Sequence, residues 1–409
     1  MKRSHALIFI IVLSLVVGAY AVVLTACAGD DDDDDVTSYG NLGGIWGMVR
    51  GTDGLPMEGV TVSLADGFGT SEVTDSSGVY KIAGVALGEA LVVKFEKEGY
   101  ATTFKNLKVF ASVVSTLQVI MKPVDAIATF NADADVSESF GSGNNIAMLG
   151  GSLVDSKGDP ATGDVKISMT SFNVADEGEI LAAPGNFTAV QTDGTSAMIE
   201  SFGLVDVNFT QDGETLQLAN GEVAEIEFAL PSNSDKSEGD EIPLWYFDED
   251  KGKWIEEGSC VVTVGTNSVM VCVGDVSHFS SWNSDQAYDT TCVRGRVVDE
   301  ANQPISGAEV YGQGQDYNGT SSEYSREDGT FVVPLKRSAK AGLTFTKEDN
   351  RRTEDIDTPD NTQGNEAQCE DLGDINISGW DGEDPFFDDL LGFDPDDDPS
   401  DIACGLMCG

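Results

Sequence analysis

From about residue 44 onward the chain is written in alternation, and alternation dictates strands. In GVTVSLAD, Val60, Val62 and Leu64 share one parity while Thr61 and Ser63 take the other. In ALVVKFEKEGY, Leu91, Val93 and Phe95 alternate with Val92, Lys94 and Glu96. A period of two sends one set to a buried face and the other outward. No long segment after Val36 carries a helical period with caps. Turn pairs such as Asp53-Gly54, Asp66-Gly67, Ser77-Gly78 and Glu98-Gly99 recur every ten to twenty residues, as in β-sandwiches. An apolar fraction of 40% is enough to fill cores, and 46 glycines suit short strands with tight turns. The expected fold class is all-β, as tandem β-sandwiches.

An internal repeat organises the alternation. GMVRGTDGLPMEGVTVSL (Gly47 to Leu64) aligns with GRVVDEANQPISGAEVYG (Gly295 to Gly312), and TDSSGVYKI (Thr74 to Ile82) aligns with SREDGTFVV (Ser325 to Val333). Each copy reads as a hairpin arm, a turn needing Gly at positive φ, and a strand opening on an aromatic. Copies at opposite ends imply two related domains around something different. The copies resemble the carboxypeptidase regulatory-like domain, a seven-stranded sandwich of the transthyretin-like type. The first has Gly47, Pro56, Gly59, Thr74-Asp75, Gly78, Tyr80, Val85, Gly88 and the closing Lys97-Glu98-Gly99-Tyr100. The second keeps Gly295, Pro304, Gly307, Gly329 and Phe331, puts Arg326 where the family has Asp, and lacks the closing Gly-Tyr. The resemblance implies no catalytic machinery, only a spacer, folding aid or binding module. Between the copies, IPLWYFDEDKGKWIEEG (Ile242 to Gly258) and VSHFSSWN (Val276 to Asn283), with APGNF (Ala183 to Phe187) and ESFG (Glu200 to Gly203), resemble a module of cartilage intermediate layer protein. That likeness implies architecture, not chemistry. The expected bounds are 44–123 for the first sandwich, 124–287 for the middle module and 288–378 for the second sandwich.

The ends of the chain speak to location. Lys2 and Arg3 precede an uncharged, mostly apolar run from Ala6 to Ala26, which reads as an export signal over 1–26 or as a membrane-spanning anchor. Leu24-Thr25-Ala26-Cys27 resembles the bacterial lipobox. The resemblance implies cleavage before Cys27, a diacylglycerol thioether on its sulfur and acylation of the new amino group. Each buried CH₂ is worth about 0.8 kcal/mol, so two or three chains anchor durably where one does not. The expected address is the cell envelope, at the outer membrane, on its periplasmic face or exposed at the surface, with the membrane as partner through the lipid. Asp30 to Asp35 then form part of an acidic tether, 27–43, held extended by self-repulsion. Residues 379–409 read as a disordered acidic tail: from Trp380 to Asp401 there are ten acidic residues and no basic one. A calcium site on Asp394, Asp396 and Asp398 lacks Gly at the sixth position (Pro399) and Glu at the twelfth (Gly405). A docking segment built on Phe386, Phe387, Leu390 and Leu391 is the other reading.

Charge and cysteines narrow the chemistry. With 71 acidic against 23 basic residues, the formal charge is −48, which excludes nucleic acid as a partner. Beyond Cys27 there are six cysteines, read as disulfides Cys260–Cys272, Cys292–Cys369 and Cys404–Cys408 rather than a metal site. Cys260 and Cys272 fall symmetrically about residue 266, which places them face to face on a hairpin. His278 is the only histidine after His5, and the alternation of VSHFSSWN gives it a strand position fixed by a core hydrogen bond. Ser277 and Ser280 lack a nucleophile-elbow turn. No enzyme and no cofactor are expected. Trp245, Phe247 and Trp254 alternate into a core, leaving Tyr246 and Trp282 as possible ligand contacts if the middle module captures a glycan. The leading expectation is a non-catalytic scaffold, adhesive or binding module with an envelope protein or glycan as partner.

Overall fold

A computed structural model describes residues 42–377, apart from positions 68, 70, 142, 233, 266, 267, 349 and 362–365. The Cys27 lipobox, the tether up to residue 41, Cys404, Cys408 and the acidic tail lie outside these residues. The described chain is all-β, with one α-helix of six residues, Glu177–Ala182, and a short 3-10 turn at Glu366–Gln368.

The first sandwich stacks two sheets. One carries Val79–Ala86, Leu42–Gly51, Val114–Thr116 and Val119–Met121; the other orders Glu72–Val73, Thr61–Leu64, Gly88–Glu96 and Thr103–Val109. The inward parity fills the core with Ile45, Val62, Tyr80, Phe95 and Leu107. The strand that opens the sandwich pairs antiparallel with Val79–Ala86 but parallel with both closing strands. The sandwich at the other end repeats this plan. Thr330–Lys336, Thr290–Val298 and Glu370–Asn376 form one sheet; Thr320–Tyr324, Glu309–Gly314, Lys340–Lys347 and Asn350–Asp357 form the other. Val293, Val310, Phe331, Leu343 and Phe345 make its core.

The two copies match in their hydrogen bonds. Thr74 Oγ1 accepts from Val60 N (2.9 Å) and donates to Met57 O (2.6 Å). Ser325 Oγ accepts from Ala308 N (2.9 Å) and donates to Ile305 O (2.7 Å). A hydroxyl here satisfies a buried amide and a buried carbonyl at once. Gly78 and Gly329 have φ of +76° and +77°, and a Cβ on either would fall 2.5 Å from the carbonyl oxygen of Val49 or Val297. Only glycine meets both demands.

The opening hairpin also occurs a third time, inside the middle module. Arg50 bridges Pro56, Val298 bridges Pro304, and Val154 bridges Pro160. Met57 N, Ile305 N and Ala161 N donate to Val49 O, Val297 O and Leu153 O. Each Pro has a Gly nine residues before it (Gly47, Gly295, Gly151) and three after it (Gly59, Gly307, Gly163). A proline suits this place because the turn never asks for its missing N–H.

Beyond that hairpin the middle module is a long sheet running from Val136–Phe140 through Asn144–Met148, Ala224–Ala229, Met270–Val276, Lys253–Val264, Glu241–Asp248, Ser281–Tyr288, Ser196–Gln211 and Asp164–Phe172 to Ala126–Asn131. It curls, since Val136, Ile146 and Ile226 near one end share a core with Ile167 and Phe209 near the other. A second core holds Trp245, Phe247 and Trp254 together with Val92, Ala101 and Phe104 of the first sandwich. The modules are therefore joined by packing as well as by chain. Tyr324 of the C-terminal sandwich inserts into the core of the first, and Thr116 N donates to Gly307 O (3.2 Å) between them. Ser201 N donates to Asn318 O (2.8 Å), and Asn318 Nδ2 returns a bond to Ser201 O (3.1 Å), tying the middle module to the C-terminal sandwich.

Candidate functional site

Two of the recesses hold buried carboxyls, one on each side of the first sandwich's contacts with its neighbours. The first is a cleft of about 720 Å³ between the first sandwich and the middle module, lined by Tyr246, His278 and Asp206. Asp206 is buried on the strand Ser196–Gln211. Burial pushes its carboxyl up to about 6, held back by bonds from Ser281 Oγ (2.8 Å) and Asn208 Nδ2 (2.6 Å). His278 lies in the bend between Met270–Val276 and Ser281–Tyr288, not on a strand as the alternation suggests. Its backbone carbonyl accepts from the Trp282 indole Nε1 (3.1 Å), and its ring lies against the indole. Burial lowers its imidazole below the ordinary value, and Glu257 Oε1, 3.9 Å from Nε2, opposes that. Ser277 Oγ donates to the same Glu257 oxygen (2.6 Å). A serine relay needs the imidazole between hydroxyl and acid; here the carboxylate stands in the middle, so the serine proton is aimed away from the base.

The expected ligand contact at Trp282 is corrected. Trp282 is 0% exposed, enclosed in the curled core with Tyr246 (5.8 Å) and His278 (4.9 Å) against it. It has no face left for a sugar. Tyr246 is half-buried and lines the cleft, edge-on to His278 at 4.6 Å. Trp245, Phe247 and Trp254 are buried, at 1%, 2% and 0% exposure.

The second recess is a cavity of about 340 Å³ where all three modules meet. Lys105, from the strand Thr103–Val109, points at the end of the helix Glu177–Ala182 and donates to Leu181 O (2.9 Å) and Ala183 O (2.6 Å). Terminal helix carbonyls have no partner within the helix, and a cation there complements the dipole. Burial lowers the Lys105 ammonium to about 8, with Glu309 opposing. Glu309, from the strand Glu309–Gly314, is 8% exposed. Burial raises its carboxyl to about 7, against a backbone hydrogen bond from Gln118 and the charge of Lys105.

Neither Lys105 nor Glu309 stands out in the sequence. Alternation assigns Glu309 to the outward face, and a strand period is silent about what covers that face. The available signal is an acid in GAEV where the first copy has GVTV. The helix follows a capping signal, Asp176 accepting from Gly178 N and Glu179 N, but six residues are too few for a helical period to register.

The cysteines within the described residues form Cys260–Cys272 and Cys292–Cys369, with Cα separations of 5.4 and 4.8 Å. The first pair is not face to face. Cys272 lies opposite Val262, because the hairpin turns one residue later than the symmetric reading assumes. The bond runs diagonally, and Gly274 makes room for it: a Cβ there would sit 2.9 Å from that of Cys260. Among the described residues no group of three or more His, Cys, Asp or Glu side chains is placed to hold a metal ion. No helix among them is long and apolar enough to cross a membrane.

Residues 44–122 match the family model of the carboxypeptidase regulatory-like domain. No curated protein matches the chain. Among solved structures, the chain is similar to the Bacillus anthracis TIE protein at 11% identity and a TM-score of 0.19, covering 83% of this chain and 50% of that one. It thus spans half the length of that protein's structure. The major pilin subunit BcpA of Bacillus cereus gives 13% identity, TM-score 0.16 and coverage of 83% and 100%. The full-length major pilin SpaD of Corynebacterium diphtheriae gives 11% identity, TM-score 0.18 and coverage of 84% and 98%.

Proposed function

We propose that this protein is a non-catalytic scaffold of the bacterial cell envelope, anchored by lipid on Cys27 and carrying two carboxypeptidase regulatory-like sandwiches locked to a middle module. One observation carries the reading: the modules are fastened to each other by buried polar and apolar contacts rather than strung on linkers. Lys105 caps a helix of the neighbouring module, Tyr324 fills the core of another, and Asn318 is bonded twice to Ser201. Such fastening suits holding a shape more than opening and closing around a substrate. The geometry at His278 supports the non-catalytic part, because Ser277 is turned to Glu257. The acidic stretch after Cys27 fits a standoff from an anionic membrane surface.

Two measurements on the full-length protein test the proposal. Detergent phase partitioning of expressing cells separates lipid-anchored from soluble chains. Wild type is expected in the detergent phase and Cys27→Ser in the aqueous phase; both in the same phase overturns the anchor. Calorimetry of the Cys27→Ser protein is expected to give a single cooperative transition. Three well-separated transitions would overturn the locked scaffold.

A further inference from the structure

The junction cavity has a charge layout that structure alone does not require. Seven arginines lie within the described residues. Five of them, Arg294, Arg296, Arg326, Arg337 and Arg352, pair with carboxylates. Arg50 and Arg351 do not pair with one among the described residues, and both line this cavity. In a chain with 71 acidic residues, two exposed guanidiniums without a carboxylate partner on the lining of one cavity mark a place prepared for an external anion; among the described residues Arg351 donates only to Thr344 Oγ1 (3.5 Å).

The inner end has the opposite character. Glu309 is buried, and the nearby cation is occupied, since Lys105 spends its hydrogen bonds on the helix carbonyls. Two amide side chains lie on the same lining. Asn106 Nδ2 donates to Gly252 O (2.8 Å) and Gln118 Nε2 to Glu348 O (3.4 Å). Gln118 Oε1 is buried without a hydrogen-bond partner, whereas Asn106 Oδ1 is packed against Gly252, where a Cβ would come within 2.0 Å of it. Orphaned buried acceptors are rare in proteins and each is costly. A carboxylate and an unused oxygen ask for a donor-rich cation. Between the two ends Met48, Leu117, Val119, Ile120 and Leu181 supply an apolar strip, and Ser322, Thr344 and Glu348 add polar groups to the lining.

The sheet register sets the spacing. Arg351 pairs with Thr346, and Thr346 pairs with Glu309, so the three lie in one row across neighbouring strands. Two strand spacings put the Arg351 and Glu309 backbones about 10 Å apart. The cavity, about 340 Å³, is within the range of small-ligand sites.

We propose that this cavity binds a small linear zwitterion, an ω-amino carboxylate, with its carboxylate between Arg50 and Arg351, its methylene chain on the apolar strip and its ammonium at Glu309 and Gln118. The site belongs to the junction: the first sandwich supplies Arg50 and Gln118, the C-terminal sandwich supplies Arg351 and Glu309, and Leu181 comes from the middle module.

The test is titration calorimetry of the Cys27→Ser protein with 6-aminohexanoate, hexanoate and hexylammonium. One site for 6-aminohexanoate is expected, with either single-charge probe at least tenfold weaker. Arg351→Gln changes an exposed side chain and leaves the fold intact; it is expected to weaken 6-aminohexanoate tenfold or more while leaving hexylammonium unchanged. Glu309→Gln, checked by its melting curve, is expected to weaken 6-aminohexanoate but leave hexanoate unchanged. No heat at 10 mM 6-aminohexanoate, or binding unaltered in Arg351→Gln, overturns the site. Hexanoate binding as tightly as 6-aminohexanoate overturns the assignment of the inner end.

Discussion

The sandwiches at the two ends share a frame but close it differently. In the first, the Tyr80 hydroxyl donates to Leu117 O (2.8 Å), reaching the segment between its two closing strands. Gly47 lies over that ring; a Cβ there would come within 2.6 Å of the Tyr80 hydroxyl and 1.9 Å of Leu117 O. In the other, Phe331 stands where Tyr80 stands, and Gly295 over it is less crowded, with its nearest contact at 2.8 Å. Phe331 has no hydroxyl to hold the last strand. There the bond Cys292–Cys369 ties the opening strand to the residue just before Glu370–Asn376. Turn, hydroxyl bridge and glycine are common to both. The fastening of the closing strand is the interchangeable part, made by one hydrogen bond in one copy and one covalent link in the other.

Three substitutions press on this contrast. The largest effect is expected from Cys369→Ser. A link between residues 77 apart stabilises by about 4 kcal/mol on a chain-entropy model. Urea unfolding should lose that amount; an unchanged midpoint would mean the closing strand is held without its bond. Next is Glu309→Gln. The position corresponds to Thr61 in the first copy, so only the C-terminal copy carries a buried acid there. Its folded pKa, about 7, lies above the ordinary carboxylate value of 4.5. The folded state therefore binds more protons between these values, and stability falls as pH rises from about 4.5 to about 7. At about 1.4 kcal/mol per pKa unit the loss is roughly 3 kcal/mol. Glu309→Gln should remove that slope; a slope identical to wild type would place the titration elsewhere. The smallest effect belongs to Tyr80→Phe, which gives the first copy the aromatic of the other. Losing the bond to a buried carbonyl should cost about 1–2 kcal/mol. If Cys369→Ser and Tyr80→Phe proved equally damaging, the two fastenings would be equivalent in strength as well as in place.

The sequence reveals most of the frame. Alternation around Val60 and Leu91 gives strands that exist, and the Gly–Pro–Gly spacing identifies the outer hairpins. The third hairpin escapes notice because Asp164 follows its last glycine where Val60 follows Gly59, so the apolar parity is displaced by one residue. The junction cavity is illegible for a deeper reason. Local pattern says which side of a strand faces inward, and Glu309 and Arg351 are on the other side. That this side meets another module is a property of assembly, carried by scattered residues such as Tyr324 and Asn318. Trp282 shows the converse failure: density of aromatics suggests a platform, while curling of the sheet encloses it.

In both end sandwiches the opening strand lies parallel to its closing strand, Leu42–Gly51 beside Val119–Met121 and Thr290–Val298 beside Glu370–Asn376. The polypeptide thus arrives at one pole of each sandwich and departs from the opposite pole. Tension drawn along the backbone slides the paired strands past each other and loads their hydrogen bonds simultaneously, instead of peeling them one at a time. A body so strung resists stretching far better than its modest hydrogen-bond count suggests.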